Sequence, residues 1–409
     1  MRLSNRVNAL KSSATLEVTA RVNALKAQGA DVIGFGAGEP DFDTPENIKQ
    51  AAINALLAGK TRYTAVAGDQ AAREAIARKL RDENGINCSA NDIVISVGGK
   101  HSLYLALQCL LDPPAPGQNP PQVILPTPAW VSYEPMIQLA GGEAVQVPGA
   151  VENDFRITPE QLEQAITPAA AAVIINSPSN PCGTMYSPDD LQALAAVLER
   201  HPGITIITDE IYEKLIYGDM EHQSMGSIKA IADRVITING LSKAYAMTGW
   251  RIGYACAPGD GGAVARAMSK LQGQMTSNIT SFCYAAISEA LTNAAGSVEQ
   301  MRQAFASRAQ LIHERITAMP DLICPRPTGA FYVFPDVSAY FGRTSPGGAA
   351  IDSALAFATA LLNEANVAVV PGEDFGECAR NHVRLSFACS EQNIQEGCRR
   401  MDAWLRAFT

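Results

Sequence analysis

Short apolar runs rich in Val and Ile alternate with stretches of helical periodicity through the middle of this chain. The runs fall at 93–97, 122–125, 172–175, 204–208, 235–238 and 252–256. Each is apolar at consecutive positions, not at every second one. That is the pattern of strands covered by helices on both faces, as in a parallel sheet. Caps mark the helix starts between them. Thr158, Pro159 and Gln161 supply an N-cap hydroxyl, a first-turn proline and a capping-box partner. Ser187-Pro188-Asp189-Asp190 and Thr44-Pro45-Glu46 predict the same device. The alternation predicts a doubly wound α/β domain over residues 46–295.

The texture changes further on. Helical patterns at 298–318 and 392–407 surround short strands at 331–334, 367–370 and 383–387, the make-up of a smaller α+β unit. Residues 1–45 contain one amphipathic helix and a glycine-rich turn, and are expected to pack with residues 296–409 as the second domain. Five prolines, at 113, 114, 116, 120 and 121, predict an exposed loop, because proline extends neither a helix nor a central strand. No internal repeat is visible.

Composition narrows the classes. A chain of 409 residues exceeds one compact core, so two domains are expected. With 47% hydrophobic and 18% charged residues it reads as globular, not disordered. No apolar run is long enough to span a bilayer. Met1-Arg2-Leu3-Ser4-Asn5-Arg6 leads into a polar segment and not a signal core, so a cytoplasmic location is expected. The net charge of -9 disfavours nucleic acid as a partner. Nine cysteines, an odd number without a CxxC pair, argue against a disulfide framework or a zinc site. None of the five histidines has metal-ligand spacing, and no metal is expected.

The candidate chemistry centres on Ser242-Lys243-Ala244-Tyr245-Ala246-Met247-Thr248-Gly249-Trp250-Arg251. An isolated lysine is usually a solvated surface residue. Small apolar neighbours argue for burial here, and desolvation helps an amine lose its proton. A neutral amine is the nucleophile of Schiff-base enzymes. Gly98-Gly99-Lys100 follows the run 93–97 and opens a helix, where backbone N–H groups can meet an anion; a plain strand-to-helix turn is the equal alternative. It is not a P-loop, since Val94 stands where the first glycine belongs. The glycines between Gly34 and Gly38 lead into a turn, a weak dinucleotide signal. Asp209 ends a predicted strand and faces the crevice where α/β folds bind ligands, or else caps the next helix. Asn180-Pro181 alone is only a turn signal. A tryptophan such as Trp130 is most often a packing anchor. Arg384, flanked by apolar strand residues, would be costly to bury unpaired, and its planar head suits a carboxylate.

Taken together, these segments resemble class I pyridoxal-phosphate (PLP) aminotransferases of the aspartate aminotransferase type, in order and spacing, from about residue 4 to residue 405. The resemblance implies the PLP-dependent transferase fold type I: a doubly wound, mainly parallel sheet plus a smaller α+β domain. It implies that Lys243 carries PLP as a Schiff base and then moves the substrate α-proton. It places Asp209 beside the pyridine nitrogen, Asn180 and Tyr212 at the ring oxygen, and Trp130 on the ring face. Ser242, Arg251, Gly99 and Lys100 would hold the phosphate. Tyr63 would reach the phosphate of a neighbouring subunit, making a homodimer with shared active sites. Arg384, Asn180 and Gly38 would take the substrate α-carboxylate. Two positions depart from the family pattern: Cys182 stands where threonine is usual, and Ala129 where an aromatic is common.

Within the family the chain is similar to the bacterial aspartate subgroup. There Lys100 and the Ser13-Ala14-Thr15 segment, preceded by Lys11, would receive a second carboxylate. The implied reaction is ping-pong transfer of an amino group between L-aspartate and 2-oxoglutarate, with prephenate as the alternative substrate. A PLP lyase cleaving C–S bonds would keep the same cofactor residues. A PLP-sensing regulator is disfavoured, for there is no basic segment and no room for a DNA-binding domain before Gly34.

Overall fold

The computed structural model describes residues 2–10 and 14–408. Its large sheet has seven strands: β1 (Ile93–Val97), β2 (Gln122–Thr127), β3 (Glu143–Pro148), β4 (Ala170–Asn176), β5 (Thr205–Asp209), β6 (Val235–Gly240) and β7 (Ile252–Cys256). Their order is β1-β7-β6-β5-β4-β2-β3. β6, β5, β4, β2 and β3 run parallel, and β7 lies antiparallel between β1 and β6.

Consecutive apolar residues are needed because each strand buries both faces. Ile93 and Ile95 pack against the helices Glu46–Leu57, Gln70–Asn84 and Cys283–Asn293, through Ile48, Ile76 and Ile287. Val94, Leu125, Ile174 and Ile207 face the opposite way, toward Leu103 and Leu107 of the helix Gly99–Leu110. Ile124, Val173, Ile175 and Ile206 meet Leu191, Leu194 and Leu198 of the helix Pro188–Glu199. β3 was not expected. It is the sheet's outer strand, its side chains are mostly half-exposed or exposed, and Glu143 and Gln146 break the apolar run.

A three-stranded antiparallel sheet joins β8 (Tyr332–Val333), β9 (Val370–Pro371) and β10 (Val383–Ser386) in the order β9-β10-β8. Ile33–Gly34 pairs in parallel with Val367–Ala368, which ties the N-terminal segment to this part of the chain. An aromatic core of Phe305, Phe331, Phe357, Phe387 and Trp404 lies between these strands and the helices Ala295–Thr317, Ala354–Ala365 and Glu391–Arg406. The helix at 354–365 also escaped the sequence pattern, being apolar nearly all round. The proline-rich segment 112–121 holds neither helix nor strand.

The caps at Thr158 and Ser187 form as expected, each with its capping box. Thr44 does not cap. The N-cap of the helix Glu46–Leu57 is Pro45, which has no side-chain donor or acceptor. Thr44 instead donates its hydroxyl to the Ala246 carbonyl (2.7 Å) and accepts from Trp250 Nε1 (3.1 Å), so the hydroxyl is already engaged by the lysine loop. All nine cysteines are free thiols. Among the described residues no helix is long and apolar enough to cross a membrane.

Candidate active site

The parallel strands deliver their C-terminal ends to one place. Asn176 of β4 and Asp209 of β5 are register partners, and Asp209 pairs onward with Ile238 of β6. The β6–β7 connection adds Ser242, Lys243 and Arg251. The turn after β1 adds Gly99 and Lys100, the segment after β2 adds Trp130, and the segment after β4 adds Asn180. Gly38 and, from β10, Arg384 close the other side. All of these, with Tyr212, line a single cavity of about 310 Å³, at the lower end of the range for small-molecule sites. Two expected groups are not shown there. Tyr63 is 89% exposed and lies outside the cavity wall. Ser13 and the side chain of Thr15 lie outside the described residues.

At the centre, Lys243 Nζ donates to the Gly38 carbonyl at 2.6 Å. Desolvation lowers its pKa to about 8, against the opposing pull of Glu39. Asp209 is buried, and desolvation raises its pKa to about 6. Donation from Tyr133 Oη (2.8 Å) and from the Ile211 amide (3.3 Å) works against that rise. The pocket thus holds an amine that is easily neutralised and a carboxyl whose charge burial disfavours, even with the Lys243 charge acting on it.

Arg384 is 2% exposed. Nη1 donates to Asn180 Oδ1 at 2.9 Å and Nη2 to the Gly36 carbonyl at 3.0 Å. Nε has no partner, and no carboxylate among the described residues pairs with the guanidinium. It lies 4.7 Å from the ring centre of Tyr332 and 5.3 Å from that of Phe375. A guanidinium buried without a carboxylate keeps a charge that the described residues leave uncompensated, and its planar head matches a carboxylate in shape.

The remaining wall is cationic. The helix Gly99–Leu110 points its N-terminus at the cavity, and its N-cap Gly98 has φ +84°. A Cβ on Gly98 would come within 2.5 Å of Arg251 Nη2, so glycine is what lets the guanidinium lie against the turn. Arg251 itself has φ +55° and donates to the Thr248 carbonyl at 2.9 Å. Lys100 Nζ sits 4.8 Å over the Trp130 ring, its pKa lowered by desolvation and by Arg251. Helix terminus, Ser242 hydroxyl, Lys100 and Arg251 together make an anion cradle.

Of the two departures, Cys182 is buried and packs with Phe155, Phe334 and Phe375 away from the cavity wall. Ala129 donates its amide to the Phe375 carbonyl at 2.8 Å and borders a small void shared with Tyr133 and Asn176.

Sequence reasoning overlooked Tyr133 and Tyr332. Tyr133 is the direct partner of Asp209, and the spacing Trp130–Tyr133 puts both rings in edge contact at 5.3 Å. Tyr332 Oη lies 2.9 Å from Tyr212 Oη. Only its place among Phe331, Val333 and Phe334, as the sole hydroxyl in an apolar strand, hinted at a role.

A buried acidic cluster lies behind the site. Among the described residues Glu210, Glu213 and His222 bring ligand-type atoms within 4.8 Å of one another. Glu213 is already engaged: one oxygen pairs with the Lys79 ammonium and the other accepts from Asn84 Nδ2 at 2.6 Å. The lysine is the cluster's cation, and Glu213 is held down to about 2, chiefly by Lys79 against desolvation.

Fold and pocket together define an α/β protein whose cavity gathers a desolvated lysine, a buried aspartate and a buried guanidinium. The family model Aminotransferase class I and II matches residues 30–401, and the chain belongs to this family. It is 45% identical over 403 residues to the aspartate/prephenate aminotransferase of Cereibacter sphaeroides, covering 98% of both chains. It is 44% identical over 408 residues to the aspartate aminotransferase of Geobacillus stearothermophilus, covering 100% of both. A solved structure of the Thermus thermophilus aspartate aminotransferase with maleate superposes with a TM-score of 0.90, at 42% identity and covering 99% of this chain and 100% of that one. The chain is an aminotransferase.

Proposed function

We propose that the enzyme moves an amino group between L-aspartate and 2-oxoglutarate, with PLP held at Lys243. The observation that carries the reading is the pairing, in one cavity, of a lysine lowered to about 8 with a carboxyl raised to about 6. A cationic ring nitrogen beside Asp209 would supply the charge that burial denies it, and a phosphate fits the cradle of Gly99, Lys100, Ser242 and Arg251. PLP, when bound, supplies an aldehyde for the amine and a protonated ring that accepts electron density from the substrate Cα.

The protein's share is orientation and proton transfer. Near pH 7 roughly a tenth of a lysine with such a pKa is neutral, against under one in a thousand for a free one. Once an incoming amino group has displaced it from the cofactor aldehyde, neutral Lys243 would take the substrate α-proton and later give it back. Arg384 and Asn180 fix the α-carboxylate. Tyr212 and Asn180 would hold the ring oxygen, and Trp130 would cover the ring face. Gly38 shapes the carboxylate side with its backbone.

Substrate class follows from two supports. Relatives are named aspartate aminotransferases, and the Thermus structure was solved with a four-carbon dicarboxylate. The Lys100 ammonium would take a second carboxylate while its place in the turn after β1 serves the phosphate, helped by Ser13 and Thr15 in the reading from the sequence. Prephenate is the second reading, because other relatives carry it in their names. The lyase alternative would release ammonia and pyruvate.

The reading includes a homodimer. Tyr63 is exposed, as are Ile53, Leu56 and Leu57 on the helix before it, which suits a tyrosine that reaches a partner's phosphate. It also includes a cytoplasmic location, and two domains, 46–295 and 1–45 with 296–409. The deciding experiment compares wild type and Lys243→Ala against aspartate, glutamate, tyrosine and prephenate. Wild type transaminates aspartate with 2-oxoglutarate and shows a visible band with PLP. The variant loses both. A variant that keeps turnover refutes the assignment.

A further inference from the structure

Tyr332 belongs to no motif singled out in the sequence, yet it touches both halves of the proposed chemistry. Its side chain is 1% exposed, on β8, and its strand neighbour β10 carries Arg384. The Arg384 guanidinium lies 4.7 Å from its ring centre. Its hydroxyl lies 2.9 Å from that of Tyr212, with the two rings edge to face at 5.9 Å. A Cβ on Gly38 would come within 3.3 Å of the same hydroxyl, so the phenol stands directly behind the segment that receives the Lys243 amine.

We infer that Tyr332 is a positioning residue: its hydroxyl directs the Tyr212 proton toward the cofactor oxygen, while its ring seats Arg384. The inference rests on the proposed use of Tyr212.

Two phenols share one contact and each has one proton. With an oxygen anion in the cavity, the Tyr212 proton goes to that better acceptor. The Tyr212 oxygen is then free to accept, and Tyr332 is its donor. The Arg384 guanidinium favours this order, since it lies closer to the Tyr332 ring (4.7 Å) than the Lys243 amine does to the Tyr212 ring (5.9 Å) and so makes Tyr332 the more acidic phenol. The result is a chain from Tyr332 through Tyr212 to the ring oxygen, in which each bond polarises the next. A stronger donor at the ring oxygen stabilises its anionic form. It thereby lowers the pKa of the proton shared with the lysine-linked nitrogen.

Two substitutions separate hydroxyl from ring. Tyr332→Phe keeps the ring, and Tyr332→Leu removes both. The first readout is the pH titration of the visible band of PLP-loaded enzyme. The second is KM for aspartate and 2-oxoglutarate. In Tyr332→Phe the titration midpoint should rise by about 0.5–1 pH unit, the equivalent of one lost hydrogen bond, with KM within about twofold of wild type. In Tyr332→Leu the midpoint rises likewise and KM increases about fivefold or more, as expected for a lost cation–π contact. In a Tyr212→Phe background, adding Tyr332→Phe should move the midpoint no further. A Tyr332→Phe midpoint equal to wild type overturns the hydroxyl role. A KM rise as large in Tyr332→Phe as in Tyr332→Leu overturns the ring role. If Tyr332→Leu fails to fold, the Tyr332→Phe titration and the double variant still decide. Absence of a titrating band in wild type would instead count against the proposed cofactor.

Discussion

Burial pushes Lys243 and Asp209 in opposite directions, and each shift prepares its residue for a different task. The amine drops to about 8 and is more easily neutralised, while the acid rises to about 6 because burial disfavours its charge. Lys100 is tuned by the same means. It sits at the rim near Arg251, its proton affinity lowered, with the Trp130 face beside it and no carboxylate among the described residues paired with it. An incoming second carboxylate would raise that proton affinity again. Lys100→Ala should therefore cut kcat/KM for aspartate and 2-oxoglutarate by roughly 10- to 100-fold, the size of a charge-assisted contact. For alanine and phenylalanine as amino donors the loss should stay near threefold or less. Equal losses across all four substrates would remove Lys100 from dicarboxylate recognition. At this scale the sequence was readable wherever a residue's neighbours were unusual. Lys243 stands among small apolar residues, Asp209 at a strand end, and Arg384 inside an apolar strand. Tyr133 and Tyr332 have no such local mark. Their partners, Asp209 and Tyr212, are distant in the chain, and only the fold brings them together.

Among the elements, the β6–β7 pair carries most of the site. Its connection bears Ser242, Lys243 and Arg251, and both strands are fully buried. The pairing works because Gly240 faces Gly253 and Gly253 faces Ser96 on β1. A Cβ at Gly253 would meet the Gly99 amide nitrogen at 2.1 Å and the Gly98 carbonyl carbon at 2.3 Å. Both are backbone atoms that cannot swing aside. Gly253→Ala should cost about 3 kcal/mol or more, seen as a lower urea midpoint and weaker PLP retention. A midpoint matching wild type would mean that β7 can slide and that the anion cradle tolerates it. Strands such as β1, β6 and β7 were legible because burial on both faces demands unbroken apolar runs. β3 was not, since an outer strand with Glu143 and Gln146 obeys no such demand. Thr44 was misread for a related reason: a good local cap was outbid by Ala246 and Trp250 from across the chain.

The molecule as a whole contains a pH liability in its acidic cluster. Glu210 accepts from Thr208 (3.1 Å) and Ser224 (2.7 Å) on one oxygen, while the other, 3.8 Å from His222 Nε2, has no hydrogen-bond partner. Desolvation, with Glu213 nearby, raises its pKa to about 8. An unfolded glutamate titrates near 4.3. Between these values the folded chain holds a proton that the unfolded chain has released. Stability attributable to this group therefore falls as pH climbs through that window, and the full penalty is present above about 8. Glu210→Gln keeps the shape, removes the titration and offers an amide N–H to His222. Urea unfolding of the variant should be flatter than wild type between pH 5 and 8.5, with the gain largest at the alkaline end. Parallel curves would show that Glu210 stays ionised in the fold. The family and its α/β layering could be read from motif order alone. This cluster could not, because it joins helix 70–84 to the segment after β5 through contacts that no spacing rule encodes.

One consequence follows from the antiparallel insertion of β7. The proposed tether, Lys243, and two members of the proposed phosphate cradle, Ser242 and Arg251, sit on a single connection whose two ends are paired on both sides within the large sheet. Heating can loosen the rim, the aromatic lobe or the substrate grip without parting those two holds. Vitamin release and collapse of the sheet should thus be one thermal event, with absorbance and circular dichroism melting together.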